Sequence, residues 1–324
     1  MYARLGVRSL PSEFEPYSWA LSTAAIAELA GVRPEEVLRF DGNTPPHGRA
    51  RVDDLGDAVA RVHTYPHGGY PLIHEAIAEY AGVAPENVVL GAGADDLLML
   101  CARTFAGPGD EVDVRDEPTY PVLRGAVHLA GADVGNTSPV ATFVCRPHNP
   151  TGTLVPLPDA RPLVVDEAYY EFAGGETAAG LIDDGVVVIR TFSKAFALAG
   201  ARIGYALADV ATAEELRTRQ SPAPVSTLSV AVALAGLADP PDVSDTIAER
   251  ERLAERLRGL GLEPLPSWTN FVYVPVDDGF ALGDALLRRG LAVRQSAGAI
   301  RVTVRDARDD DRLVQALESL LGSS

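Results

Sequence analysis

Lys194 is the one lysine among 28 basic residues, and it lies in the run Arg190-Thr-Phe-Ser-Lys-Ala-Phe-Ala-Leu-Ala-Gly-Ala-Arg202. A guanidinium stays protonated near neutral pH, whereas a desolvated lysine amine loses its proton and can attack a carbonyl. A chain that meets every other positive charge with arginine still keeps one group able to form an imine. Lys194 is therefore read as a Schiff-base lysine rather than a surviving surface charge. The apolar run Leu163-Val-Val ends in Asp166-Glu-Ala-Tyr169. A Walker-B magnesium site there would need a G-x-x-x-x-G-K-[ST] loop, and Ala195 after the sole lysine rules that out. Two readings of Asp166 stay open: an aspartate aimed at a protonated heterocyclic nitrogen, and a polar strand end facing water.

Val88-Val-Leu-Gly91-Ala-Gly93-Ala-Asp95-Asp96 joins a strand to a helix start through small residues. The free N–H groups of such a start suit a phosphate, although an ordinary tight turn has the same sequence. A dinucleotide fingerprint would want glycine where Asp96 stands. Arg146-Pro-His-Asn149-Pro-Thr-Gly152 either carries the Asn149 amide to the same crevice or is a proline-rich turn. Tyr120 is a core aromatic or a ring that stacks on a planar ligand. Arg294, and Arg301 in Ile300-Arg-Val-Thr-Val304, are surface strand arginines or an anion clamp. The six histidines form no metal site, since His74-Glu75 is followed by Ala78 where H-E-x-x-H needs its second histidine.

The elements that must hold these groups read as α/β, with short β-rich runs alternating with helical patterns to about residue 210. Strands are expected at Val88–Leu90, Glu111–Val114, Ala132–Val134, Ala141–Cys145, Leu163–Asp166, Val186–Ile189 and Ile203–Leu207. Helices are expected near Ser22–Ala30 and at Leu72–Ala81, Ala94–Phe105, Tyr120–Ala130 and Thr227–Ala238. Beyond Pro240-Pro241 come a charged helix (Ser244–Arg258), a strand (Phe271–Pro275), a helix (Leu282–Arg289), two strands and a final helix. Two links are short. Gly135 to Val140 is barely enough chain for a parallel return, so Ala132–Val134 is a stub or lies outside the sheet. Arg146 to Arg161 holds four prolines and reads as a stiffened loop without a helix.

At 34.2 kDa and 47% hydrophobic residues, the chain can bury a large core and is expected to form two domains. Its formal charge of -17 argues against a nucleic-acid or anionic-membrane surface. Two cysteines, Cys101 and Cys145, fit no disulfide or zinc framework, and no segment reads as a leader or a membrane span, so a cytoplasmic location is expected.

Taken together, Asn149-Pro-Thr-Gly, Asp166-Glu-Ala-Tyr and Ser193-Lys-Ala-Phe-Ala-Leu-Ala-Gly-Ala-Arg202 resemble the fold-type I pyridoxal-phosphate aminotransferases, most closely the histidinol-phosphate aminotransferase family. The resemblance runs from about Pro16 to the C-terminal helix. It implies a mostly parallel sheet in a large domain over 41–239, and a smaller α+β domain from 1–40 plus 240–324. Lys194 would hold the cofactor and shuttle the substrate proton, Asp166 would pair with the pyridinium nitrogen, and Asn149 and Tyr169 would hold the ring's 3′-oxygen. Tyr120 would be the stacking ring. Ser193, Arg202 and the backbone of Gly93, Ala94 and Asp95 would form the phosphate cup. Tyr65 would reach the cofactor phosphate of a neighbouring subunit, which implies a homodimer. Tyr17, Asn43, Arg294 and Arg301 would meet the substrate.

The implied reaction is transamination from a histidinol-phosphate-like or aromatic donor, with 2-oxoglutarate as the acceptor. A specialised biosynthetic amine is a further donor class. Rivals are a decarboxylase of a phosphorylated amino acid and a non-catalytic, ligand-sensing domain; the sensor would need a basic DNA-binding module that this acidic chain has no room for. The chain departs from the family pattern in several places. The segment at Gly135–Val140 is shorter, and the helix between the Asn149 and Asp166 motifs is missing. The usual N-E-N-P-Y-G run is Asp41-Gly-Asn-Thr-Pro-Pro-His-Gly48, the loop between Arg294 and Arg301 is short, and Arg305 replaces a glycine.

Overall fold

The computed structural model describes residues 9–322 apart from 13, 15, 67 and 68. In chain order its helices and strands are α1 (Thr23–Ala30), β1 (Leu38–Phe40), α2 (Pro71–Ala81), β2 (Val88–Gly91), α3 (Ala94–Phe105), β3 (Glu111–Val114), α4 (Pro121–Ala130), β4 (Asp133–Val134), β5 (Pro139–Cys145), β6 (Leu163–Asp166), β7 (Val186–Thr191), β8 (Gly204–Leu207), α5 (Val210–Arg219), α6 (Thr227–Ala238), α7 (Ser244–Gly259), β9 (Phe271–Pro275), α8 (Gly279–Leu287), β10 (Leu291–Ser296), β11 (Ala299–Thr303) and α9 (Ala307–Leu321). The helix starts follow local chemistry. Ser22 caps α1 by accepting the Ala25 N–H at 3.1 Å, and Pro71 and Pro121 open α2 and α4 where a missing N–H costs nothing.

A seven-stranded sheet runs in the order β2-β8-β7-β6-β5-β3-β4, with β8 antiparallel to both neighbours and the remaining pairs parallel. Its central strands are buried on both faces, which is why they read as unbroken apolar runs. Leu163, Val165, Val186 and Val188 pack with Ile73 and Ile77 of α2 and Ala233 of α6. Val164, Val187 and Ile189 pack on the opposite face with Leu97, Leu98 and Cys101 of α3 and Val127 of α4. The C-terminal ends of β2, β3, β5, β6 and β7 share one edge, where an α/β sheet places its ligand.

The stub reading of 132–134 holds in the sheet: β4 is a two-residue edge strand beside β3, matching Asp133 to Glu111 and Val134 to Val112. The return to β5 therefore spans very little strand length, and the Glu111 carboxylate holds the crossing through the Thr137 and Ser138 N–H groups, both at 3.1 Å. No helix forms between β5 and β6, as the prolines require. A second sheet, β1-β10-β11-β9, brings β1 alongside β10 in parallel and packs over Leu253, Leu286, Leu313 and Leu317. β1 and α5 were not anticipated from the sequence. β1 has three residues, and α5 buries only Ala213 and Leu216, so neither carries a strong period.

Candidate active site

β7 ends at Thr191, and the chain turns at once into a tight loop. The Thr191 hydroxyl accepts the Ser193 N–H at 3.1 Å and donates to Ser193 Oγ at 2.9 Å, while the Leu198 N–H reaches back to the Phe192 carbonyl at 2.9 Å. This loop carries Lys194, whose Nζ stands 5.6 Å from the centroid of the Tyr169 ring. Burial lowers its pKa from 10.5 to about 8; the nearby Arg301 charge acts the same way, while Asp95 and Asp166 oppose it. About one such amine in ten is neutral at pH 7, against fewer than about one in a thousand at 10.5, and the neutral form is what a nucleophile or base requires.

Asp166 is the last residue of β6 and is 2% exposed. Its Oδ1 accepts the Ala168 N–H at 3.1 Å, and Cys145 Sγ, at the end of β5, lies 3.8 Å from Oδ2. Burial, with Asp95 adding to it, lifts the carboxyl from 3.8 to about 7. Among the described residues no cation hydrogen-bonds to it. Lys194 acts on it only through space, and a buried acid with no hydrogen-bonded cation is suited to a protonated ring nitrogen, which would bring its pKa back down.

The Tyr169 hydroxyl accepts from Asn43 Nδ2 at 2.8 Å. Asn43 is itself locked: its N–H donates to Thr303 Oγ1 at 2.9 Å, its Oδ1 accepts from that hydroxyl at 3.1 Å, and its carbonyl accepts from Asn270 Nδ2 at 3.1 Å. Asn43 thus steadies Tyr169 from behind and is 2% exposed. Asn149 is also buried, and its Oδ1 accepts from Arg301 Nη1 at 2.6 Å. Arg301 leans on the Phe271 ring at 5.1 Å and donates to the Asp41 carbonyl at 3.3 Å, while its Nε is buried without a partner. An anion arriving at this guanidinium would find donor capacity to spare.

The start of α3 has no side-chain cap, so its first N–H groups are open to an anion. Gly93 has φ +90°, and a Cβ there would lie 2.8 Å from Arg202 Nη2, so the bare backbone is what lets the guanidinium approach. Arg202 donates to the Ala92 carbonyl at 3.3 Å and pairs with Asp95 at 3.4 Å. Asp95 Oδ1 accepts from the Tyr120 hydroxyl at 2.9 Å, which fixes that ring beside the cup. Gly93, Ala94, Asp95, Tyr120 and Arg202 therefore meet at one place, and the residues fit a phosphorylated planar cofactor.

Three sequence-derived candidates are exposed, and Arg294 among them is paired with Arg301 of the site in the β10–β11 register. Tyr17 is 60% exposed and packs edge-on against Trp19 with ring centroids 5.3 Å apart; Tyr65 is 83% exposed. Arg305 is a structural anchor: it pairs with Asp309 at 2.8 Å and donates to the Arg39 carbonyl at 3.2 Å. Sequence reasoning passed over Thr303, Asn270, Cys145, Glu167 and Arg190. Arg190 did carry a signal, because a charge inside the apolar run of β7 needs a buried partner. A cavity of about 300 Å³ behind the lysine loop, lined by Ala195, Ala197, Val243 and Val304 among others, takes in none of the groups above except the supporting Asn270.

Comparison with known proteins agrees with this geometry. The chain is 32% identical to the histidinol-phosphate aminotransferase of Nitratidesulfovibrio vulgaris (strain Hildenborough), over 97% of this chain and 96% of that one. It is 31% identical to the enzyme of the same name from Methanothermobacter thermautotrophicus, over 97% of each. The solved histidinol-phosphate aminotransferase from Sinorhizobium meliloti, in complex with pyridoxal-5′-phosphate, superposes with a TM-score of 0.82 at 26% identity, covering 97% of this chain and 99% of that one. L-threonine-O-3-phosphate decarboxylase from Porphyromonas gingivalis has the same fold, with a TM-score of 0.76 at 19% identity over 88% of this chain and all of that one. The profile of aminotransferase class I and II matches residues 36–139 and 135–319, and the chain belongs to that family.

Proposed function

We propose that this chain is a pyridoxal-phosphate-dependent aminotransferase whose donor is histidinol phosphate or an aromatic amino acid and whose acceptor is 2-oxoglutarate. The observation that carries the reading is the meeting of a lysine held near pKa 8 with a buried aspartate that no cation hydrogen-bonds, on the sheet edge that also presents an uncapped helix start. The N–H groups of Ala94 and Asp95, with Ser193 and Arg202, would hold the cofactor phosphate. Asp166 would hold the proton on its ring nitrogen, Asn149 and Tyr169 its ring oxygen, and Tyr120 its face. When bound, the cofactor supplies a sink for the electrons left when the substrate Cα loses its proton. Lys194 takes that proton and returns it. Arg301 binds the substrate's anionic group, with Arg294 opposite it in the β10–β11 register as a second cation for the distal phosphate; Tyr17 is assigned to that phosphate by the resemblance alone.

Residues 41–239 are taken as the large domain, and 1–40 with 240–324 as the small one. The working unit is taken as a cytoplasmic homodimer in which Tyr65 serves the neighbouring site. Among the described residues no helix is long and apolar enough to cross a membrane.

Lys194→Arg keeps the charge and should leave no borohydride-trappable adduct with pyridoxal phosphate; a trapped adduct or full activity in that variant overturns the assignment. A donor panel of histidinol phosphate, phenylalanine and tyrosine with 2-oxoglutarate tests the substrate. Carbon dioxide release without pyridoxamine phosphate would replace transamination with decarboxylation, a distinction that the shared fold of the P. gingivalis decarboxylase cannot make.

A further inference from the structure

The ends of β6 and β7 must keep Asp166 and Lys194 at a fixed separation, yet the backbone ladder between them stops at the Glu167 N–H to Ile189 carbonyl bond of 2.8 Å. Past that point the two strand ends are joined by side chains. Arg190 Nε and Glu167 Oε2 form an ion pair at 3.0 Å, with the two side chains 2% and 1% exposed. Thr177 Oγ1 sits between them, within 2.8 Å of Arg190 Nη2 and of Glu167 Oε2, and the Ala178 N–H donates to Glu167 Oε1 at 2.6 Å. The guanidinium lies under the Tyr170 ring, 3.5 Å from its centroid. The pair therefore joins Glu167, the residue after Asp166, to Arg190 in the strand that leads into the Lys194 loop, and Arg190 also meets Tyr170, the residue after Tyr169.

We infer that Glu167 and Arg190 are positioning residues for the reaction: their buried ion pair sets the spacing of Asp166, Tyr169 and Lys194. Stability alone does not account for such a pair, because well-packed apolar side chains of similar volume commonly hold a core as well. What the ion pair adds is a set distance and orientation, since the planar fork accepts its partners in one geometry. This rests on the assignment of Lys194 and Asp166 above.

The decisive variant is the double change Glu167→Met/Arg190→Met, which removes both charges of the pair together; for the neighbouring Glu171 it takes away both the Arg190 charge that favours ionisation and the Glu167 charge that opposes it. In the holoenzyme we expect a folded protein with a lowered unfolding midpoint, because the Ala178 N–H loses its acceptor, and KM within about twofold, with kcat lowered by roughly 10²-fold, the loss expected when reacting groups shift by about 1 Å. We also expect a displaced pH midpoint for the absorbance change of the bound cofactor, a readout that a purely structural pair would leave alone. Parent-like kcat and parent-like pH midpoint in a folded double variant overturn the inference. Should that variant not fold, Arg190→Lys, which keeps the charge but loses the fork, is read by the same two measurements with the same two outcomes. Borohydride trapping on the parent and on Lys194→Arg runs alongside. Trapping that persists in Lys194→Arg faults the underlying assignment, whereas trapping lost only there, with an unaffected double variant, faults the positioning role alone.

Discussion

Asp166 is a carboxylic acid raised to about 7 by burial, which the Lys194 charge offsets only in part, so the cofactor-free protein bears a measurable cost for it. Between its ordinary 3.8 and about 7 the native state keeps the proton and the unfolded chain releases it, so native stability falls as pH rises through that window and levels off above it. The full effect is on the order of 4 kcal/mol at neutral pH, at 1.36 kcal/mol per pKa unit. Asp166→Asn cannot release a proton in either state. The cofactor-free variant should therefore show a shallower stability profile than the parent between about pH 4 and 7, and greater stability at neutral pH. Urea midpoints across that range check this, and equal slopes for the two proteins would sink it. Lys194 gives a companion test: because burial holds its amine near 8, capture of pyridoxal phosphate by the cofactor-free protein should climb steeply through pH 8 rather than near 10.5. Borohydride-trapped adduct measured against pH at constant cofactor decides between the two.

The turn from β2 into α3 shows how a short stretch of backbone would build half of the proposed phosphate cup. Gly93 has φ +90° and ψ 176°, a region that side chains rarely enter, and Arg202 occupies the space a Cβ would need. Gly93→Ala should cost about 1–3 kcal/mol of local strain, spent largely on the cup, and raise the cofactor dissociation constant roughly tenfold or more. Equilibrium titration with pyridoxal phosphate checks it; unchanged affinity would mean the turn does not hold the phosphate. This turn was legible in the sequence because small residues between an apolar run and a helical pattern leave few conformations. β6 and β7 were legible for a similar reason, as buried parallel strands read as pure valine and isoleucine. The links that carry Asn43 to Tyr169, and Glu167 to Arg190, were not. They join residues 126 and 23 apart along the chain, and no local period records a side-chain meeting of that kind. Asn43 was tied to the substrate by resemblance; within the protein its side chain meets Tyr169 and Thr303.

The region ahead of β2 presents Val52, Val59, Val62, Tyr65 and Leu72, each more than half exposed, a run of apolar side chains that a lone soluble subunit has little reason to leave in water. A second copy of the chain covering this face would bury that surface and bring Tyr65 to the partner's phosphate cup, where its hydroxyl would add one hydrogen bond to an anion. Removing a bond of that kind weakens cofactor binding by about 1.5–3 kcal/mol. Hybrids test the crossing itself. Co-expressing a Lys194→Ala chain with a Tyr65→Ala chain produces mixed dimers in which one site combines an intact Lys194 from one chain with an intact Tyr65 from the other. If Tyr65 acts across the interface, the purified hybrid should recover close to half the parent's activity per dimer, although each homodimer is impaired. If Tyr65 serves its own chain, the one functional lysine in the hybrid is paired with an alanine and activity per dimer is about half that of the Tyr65→Ala homodimer.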